Sequence, residues 1–170
     1  SKMGVRAVIV MPTTTPQLKV DAVKGFGGEV VLFGDSYSDA YTHAVALEKK
    51  QGLTFVHPFD DPDVIAGQGT VAMEMLQQLQ TLDLGELDAV FVAIGGGGLI
   101  SGVASYIKAV DPRIKVIGVQ VEVCAPYANL PFPAGPVVTL ADGIAVKRPG
   151  AVTRPLVDHW LDDVVVVDED

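Results

Sequence analysis

Four consecutive glycines, Gly95, Gly96, Gly97 and Gly98, followed by Leu99, are the residues of this 170-residue chain whose types and spacing most directly imply chemistry. They follow an apolar run at 90–94 that reads as a strand buried on both faces. An amphipathic stretch at 100–110 comes next and reads as a helix. Glycine carries no Cβ, so successive backbone N–H groups can turn inward and approach a ligand closely. A helix N-terminus adds the positive end of its dipole at the same point, so strand, glycine turn and helix form a cradle for an anion, most often phosphate. A tight strand–helix turn without a ligand needs only one or two glycines, and each further one loses backbone entropy on folding. The loop is not of the Walker type, because Gly98-Leu99-Ile100-Ser101 stands where Gly-Lys-Ser/Thr is needed. A dinucleotide fingerprint wants spaced glycines and an acidic residue about 20 positions on, and a contiguous block does not supply that spacing.

The other chemistry-bearing residues form no self-sufficient catalytic set. His57 stands between a strand and a turn and has the type of a general base at neutral pH, but capping or hinging explains it more simply. Asp60, Asp61 and Asp63 resemble a metal cluster on paper, yet lack the loop grammar of a calcium site, and turn formation accounts for them. His43 reads as a surface residue, and Lys147-Arg148 is a weak anion attractant. No catalytic and no metal-binding residue is assigned.

Composition narrows the function classes. The net charge is −9, and lysine and arginine never form a continuous patch, which argues against a nucleic-acid groove. Cys124 is alone, so neither a disulfide framework nor a thiolate metal cluster is expected. No secretory segment appears and the apolar runs are too short to span a bilayer, so a cytoplasmic protein without membrane partners is expected.

The elements that must position the glycine block read as α/β, with open parallel sheets and flanking helices. Strands are expected at 5–11, 29–33 and 53–56, separated by a helix whose partly buried face is Leu18, Val20, Val23 and, more weakly, Ala22, and by a helix at 37–50. Three threonines and Pro16 are expected to cap the first helix. The prolines and aspartates of 57–62 break the rhythm and mark a domain crossover. Gly67-Gln68-Gly69-Thr70 is then expected to lead into a helix through Met73, Leu76 and Leu79. A strand at 87–94 feeds the glycine block, and a strand at 114–119 follows its helix. The proline-rich segment 124–136 reads as a surface loop, and Asp142-Gly143 as a tight bend able to present a backbone group to a ligand. A helix at 152–161 and a strand at 164–167 close the chain. Both ends look cut, the first as the end of a helix and the last as the cap of another, so a fragment is expected.

In these motifs the chain resembles the catalytic domain of the biosynthetic threonine dehydratases (threonine ammonia-lyases), fold-type II pyridoxal-phosphate enzymes. The resemblance runs in family order from 4–12 and Lys19-Val20-Asp21-Ala22-Val23, through Pro58-Phe59-Asp60 and 64–70, to the glycine block with Leu99 and the stretch 142–148. It implies that residues 1–56 are the later part of a small α/β domain and 57–170 the middle part of a large one. It implies pyridoxal 5'-phosphate as cofactor of the full-length family, its phosphate held by Gly95, Gly96, Gly97, Gly98 and Leu99, with Gly143 beside its ring. It also implies an amino-acid substrate, β-elimination of threonine to 2-oxobutanoate and ammonia, and a homo-oligomer.

The same resemblance puts the family's Schiff-base lysine upstream of Ser1 and the partner of the pyridine nitrogen beyond Asp170. Lys2, Lys19 and Lys147 match no part of the lysine motif, so the isolated chain is expected to be inactive. Serine racemases of the family bind a divalent metal through a glutamate whose counterpart here is Gln120, with Pro126 at a later acidic position, so no such site is expected. Two other readings compete: a non-catalytic module that binds a phosphate ligand or a protein, and a segment of a serine dehydratase or serine racemase.

Overall fold

The computed structural model describes residues 4–131, 135 and 137–169. The chain divides into two compact units, Ser1–Phe55 and Val56–Asp170. No helix among the described residues is long and apolar enough to cross a membrane.

The first unit has strand β1 (Val8–Met11), helix α1 (Gln17–Gly25), strand β2 (Glu29–Leu32) and helix α2 (Tyr37–Gln51). β1 and β2 pair in parallel, with Val8 opposite Glu29 and Met11 opposite Leu32, across the α1 crossover. α2 starts at Ser36, whose hydroxyl accepts from Asp39 N–H in a reciprocal capping box, and stops at Gly52 in the left-handed conformation. The third strand expected at 53–56 does not form. Its N–H groups turn back to the end of α2 instead: Leu53 donates to the Glu48 carbonyl and Phe55 to the Glu48 carboxylate at 3.1 Å. The threonines before α1 are not its cap either. The Thr13 N–H donates to the Gly34 carbonyl at 2.8 Å and its hydroxyl to Asp35 at 2.9 Å, stapling the ends of the two strands together. His43 is not a plain surface residue, since its ring stacks on Phe33 with centroids 4.0 Å apart.

The second unit carries the glycine block. Its elements are α3 (Pro62–Leu82), β3 (Ala89–Ala93), α4 (Gly98–Val110), β4 (Lys115–Val121), α5 (Thr153–Trp160) and β5 (Asp163–Val167). The sheet order is β3-β4-β5, all parallel, with Val90 opposite Val116 and Val119 opposite Val165. Its core joins Val90, Val92, Ile94 and Val116 from the sheet to Ala72 of α3, Ile100, Val103 and Ile107 of α4, and Val157 of α5.

The expectation that the strand before the glycines is buried on both faces is corrected here. Side chains alternate along a strand, and these helices cover only the face of Val90 and Val92, leaving Phe91 on the other face 65% exposed. The start of the long helix is also corrected. Asp61 accepts from Asp63 and Val64 N–H and Pro62 occupies the first turn, so Gly67 and Gly69 lie inside α3 rather than before it. Gly69 faces α4 closely: a Cβ added there would lie 3.2 Å from the Gly102 carbonyl, tighter than an ordinary contact. The segment after β4 is no simple surface loop. Cys124, Ala125, Pro126 and Tyr127 are buried, with a 3-10 turn over Pro126–Ala128.

Candidate phosphate-binding site

The site begins where β3 ends. Ile94 is fully buried; its N–H continues the ladder to Val119, and its carbonyl accepts from Gln120 Nε2 at 3.2 Å. The chain then turns through Gly95–Gly98 into α4. Gly97 caps that helix with φ of 96°, a left-handed value that favours glycine, and offers no side-chain cap. No acidic residue stands in the first turn.

Each glycine of the block also has a reason within the protein. A Cβ on Gly96 would overlap the ring of Phe59, and one on Gly98 would lie 2.9 Å from the Phe59 backbone. A Cβ on Gly97 would overlap the Tyr127 hydroxyl, and one on Gly95 would meet Ile144 Cα at 3.1 Å. The number of glycines therefore carries no weight of its own for a ligand. The hydrogen-bond accounting does. Among the described residues, none accepts from the N–H of Gly95, Gly96, Gly97, Gly98, Leu99 or Ile100. The first N–H groups of any helix lack an internal acceptor, but this run extends upstream of the helix, and Gly96, Gly97, Gly98 and Ile100 are buried. Backbone N–H groups inside a fold are almost always paired, so the run is available to an acceptor from outside the chain. Ser101 Oγ, fully buried in the same helical turn, has no partner among the described residues either.

The Gly96 carbonyl, by contrast, is committed. Gly96 O lies 2.8 Å from Tyr127 Oη and 2.7 Å from Thr153 Oγ1, and the two hydroxyls are 3.0 Å apart. Two protons serve three contacts, so two of the three are hydrogen bonds at any instant. Burial pushes the Tyr127 phenol up, which keeps it a donor. The Tyr127 N–H donates to Gln120 Oε1 at 2.8 Å, so both ends of the Gln120 amide are used, one on Ile94 just past β3 and one on the Tyr127 turn. Gln120 lies within β4 as a structural bridge. Among the described residues, no three His, Cys, Asp or Glu side chains come together as metal ligands.

Behind the hydroxyls lies the 57–60 turn. His57 Nδ1 accepts from the N–H of Phe59 at 3.2 Å and of Asp60 at 2.8 Å, so it caps this turn. The Asp60 carboxylate then accepts from Ala151, Val152 and Thr153 N–H at the start of α5. Burial opposes its charge, but those three donors prevail and hold its pKa below the ordinary carboxylate value. Asp61 is thus the local cap of α3, in line with the turn reading, whereas Asp60 reaches across to the start of α5, which that reading did not anticipate; Lys147 donates to the Gly135 carbonyl at 2.6 Å.

Gly143 arrives from the far side. It lies in a 3-10 turn, Asp142–Ile144, with its carbonyl 3.4 Å from where a Gly95 Cβ would be. Glu169, just past β5, holds the approach to that turn by accepting from Leu140 N–H at 2.7 Å and from the Thr139 hydroxyl. A Cβ on Gly143 itself would meet nothing within 4 Å. Sequence reading singled out neither Tyr127 nor Thr153, and it named Phe59 and Gln120 without tying them to the loop. No local pattern links any of the four to residue 96.

A parallel sheet, a glycine turn at the C-terminal end of a strand and a run of amides without an acceptor among the described residues define an α/β protein with a candidate anion site. The family model described as pyridoxal-phosphate dependent enzyme matches residues 1–170, and the chain belongs to that family. It is 57% identical to the biosynthetic L-threonine dehydratase of Burkholderia multivorans, over all of this chain and 34% of that protein. Among solved structures it is similar to the processed threonine deaminase isoform 2 of Solanum lycopersicum (TM-score 0.87, 42% identity, 98% of this chain and 49% of that one). Maize serine racemase is also similar (TM-score 0.89, 33% identity, 99% of this chain and 51% of that one). The chain spans about a third of the length of the curated biosynthetic dehydratases it matches. Pyridoxal phosphate is the cofactor of this family, and the loop fits its phosphate: among the described residues the amides have no acceptor, the dipole sign is right and no acidic residue stands in the first turn of α4.

Proposed function

We propose that this chain is the part of a pyridoxal-phosphate-dependent threonine dehydratase that anchors the cofactor. Residues 1–56 would be the later part of the small domain and 57–170 the middle of the large one. The observation that carries the reading is the run of unspent N–H groups from Gly95 to Ile100, at the point where the family's glycine block holds phosphate. In this reading Gly95, Gly96, Gly97, Gly98 and Leu99 donate to the phosphate oxygens. A hydrogen bond to a charged group contributes about 1.5–3 kcal/mol, so several together outweigh the cost of ordering the loop. Gly143 stands beside the ring, where the open space at its Cα leaves room for a flat partner. When bound, pyridoxal phosphate supplies the electron sink needed for β-elimination of L-threonine to 2-oxobutanoate and ammonia. The residues of this chain anchor and orient it; none of its lysines is assigned to proton transfer.

A titration of the purified chain with pyridoxal phosphate, followed by absorbance beside a Gly97→Asp variant, tests this. Saturable binding that the variant loses supports the reading. Binding that persists in the variant, or no binding by the parent chain, overturns it. Turnover of threonine by the isolated chain, following its mass through purification, would overturn its assignment as an anchoring part. The likeness to maize serine racemase favours a second reading, a segment of a serine-specific enzyme, which a comparison of threonine with serine turnover by the whole protein separates. A homo-oligomer belongs to the same proposal and is checked by light scattering.

A further inference from the structure

We propose that Tyr127 and Thr153 are positioning residues for this anion site: their hydroxyls clamp the Gly96 carbonyl and thereby aim the Gly97 N–H into the cradle. The inference rests on the phosphate reading of the glycine loop. A trans peptide is planar, with its C=O and N–H pointing in opposite directions. Holding Gly96 O at 2.8 and 2.7 Å from the two hydroxyls therefore turns the Gly97 N–H to the opposite side, where no residue of the described chain accepts it. The clamp is needed because the two torsions that would flip this peptide belong to Gly96 and Gly97, the residues with the least steric resistance to flipping. Rigidity that the loop cannot supply is imported from elements 31 and 57 residues away in the chain.

Each half of the clamp is itself held. Tyr127 is 4% exposed; its N–H is on Gln120, and the Arg154 guanidinium lies 5.6 Å from its ring centroid. Thr153 Oγ1 accepts from Gly150 N–H at 3.1 Å, which leaves its own proton for Gly96, and its backbone N–H is fixed by Asp60 at 3.1 Å. His57 fixes Asp60 in turn. A line of hydrogen bonds thus runs from the 57–60 turn through the start of α5 to one peptide of the loop.

The test is a titration of the 15N-labelled chain with inorganic phosphate, reading the amide signals of residues 95–99. Tyr127→Phe, Thr153→Val and Thr153→Ser are compared with the parent and with Gly97→Asp, and each thermal midpoint is recorded. One neutral hydrogen bond is worth a factor of about 3–10 in affinity, so Tyr127→Phe and Thr153→Val should each weaken phosphate by that much, with faster exchange of the Gly97 amide. Thr153→Ser keeps the hydroxyl and should bind within about twofold of the parent, which a purely structural role for Thr153 does not require. If Thr153→Val fails to fold, Tyr127→Phe, which keeps the ring, decides alone. Parent-like phosphate binding by Tyr127→Phe and Thr153→Val, while Gly97→Asp has lost it, overturns the clamp and leaves the cradle standing. Phosphate that moves no loop amide in the parent overturns the cradle reading and the clamp with it.

Discussion

Glycines that look alike in the sequence have different duties, and substitution should separate them. Gly97→Ala puts a Cβ onto the Tyr127 hydroxyl at a left-handed φ, so a loss of roughly 2–4 kcal/mol is expected in urea unfolding. Gly143→Ala meets open space, and its stability should stay within about 0.5 kcal/mol of the parent, while its pyridoxal-phosphate affinity falls if that face receives the ring. Asp60 supplies a pH signature. Its native carboxyl releases its proton more readily than the unfolded one, so its stabilisation is complete above the unfolded pKa and is lost as pH falls through the lowered native value. Asp60→Asn should cost about 1–3 kcal/mol at pH 7 and flatten the acid limb of the stability profile. An acid limb as steep as the parent's would assign that limb to other carboxylates.

At the scale of elements, the crossing of α3 and α4 is set by two small residues. A Cβ on Gly102 would overlap the Ile65 carbonyl and come within 2.7 Å of Gly69 N, both backbone atoms that cannot step aside. Gly102→Ala should therefore force the helices apart at about 1–3 kcal/mol or more, with a disturbed cradle, because α4 carries the loop at its N-terminus. Gly67 lies in the same helix with nothing near its Cβ, and Gly67→Ala should raise stability by about 0.5–1 kcal/mol through helix propensity alone. Thermal midpoints of the two variants, moving in opposite directions, would verify that contact rather than composition governs α3.

For the whole molecule the telling feature is the bare face of the β3-β4-β5 sheet. Phe91 at 65% exposure, with Val165 and Val167 at 38% and 39%, makes an apolar surface on strands that would ordinarily be covered. The isolated chain is expected to associate with rising concentration, and Phe91→Lys should reduce that tendency. Light scattering across a dilution series checks it; a monomer throughout would show that the face tolerates water.

The sequence by itself determined the α/β class, the strand–glycine–helix unit and its polarity. Those follow from side-chain periodicity and from the absence of Cβ, which are local properties. The αα crossing and the inward course of 124–127 were not legible, because each depends on which distant group satisfies a backbone donor or fills a gap, and the strand expected at 53–56 lost its donors to Glu48 at the end of α2. The same holds within the site. Gly95 to Leu99 could be read in one dimension, whereas Phe59, Gln120, Tyr127 and Thr153 converge on the loop only after the chain has folded. Local chemistry marked residues 95–99 as a candidate anion cradle; only tertiary packing decided which hydroxyls meet the Gly96 carbonyl, because a run of glycines has no conformational preference strong enough to choose for itself.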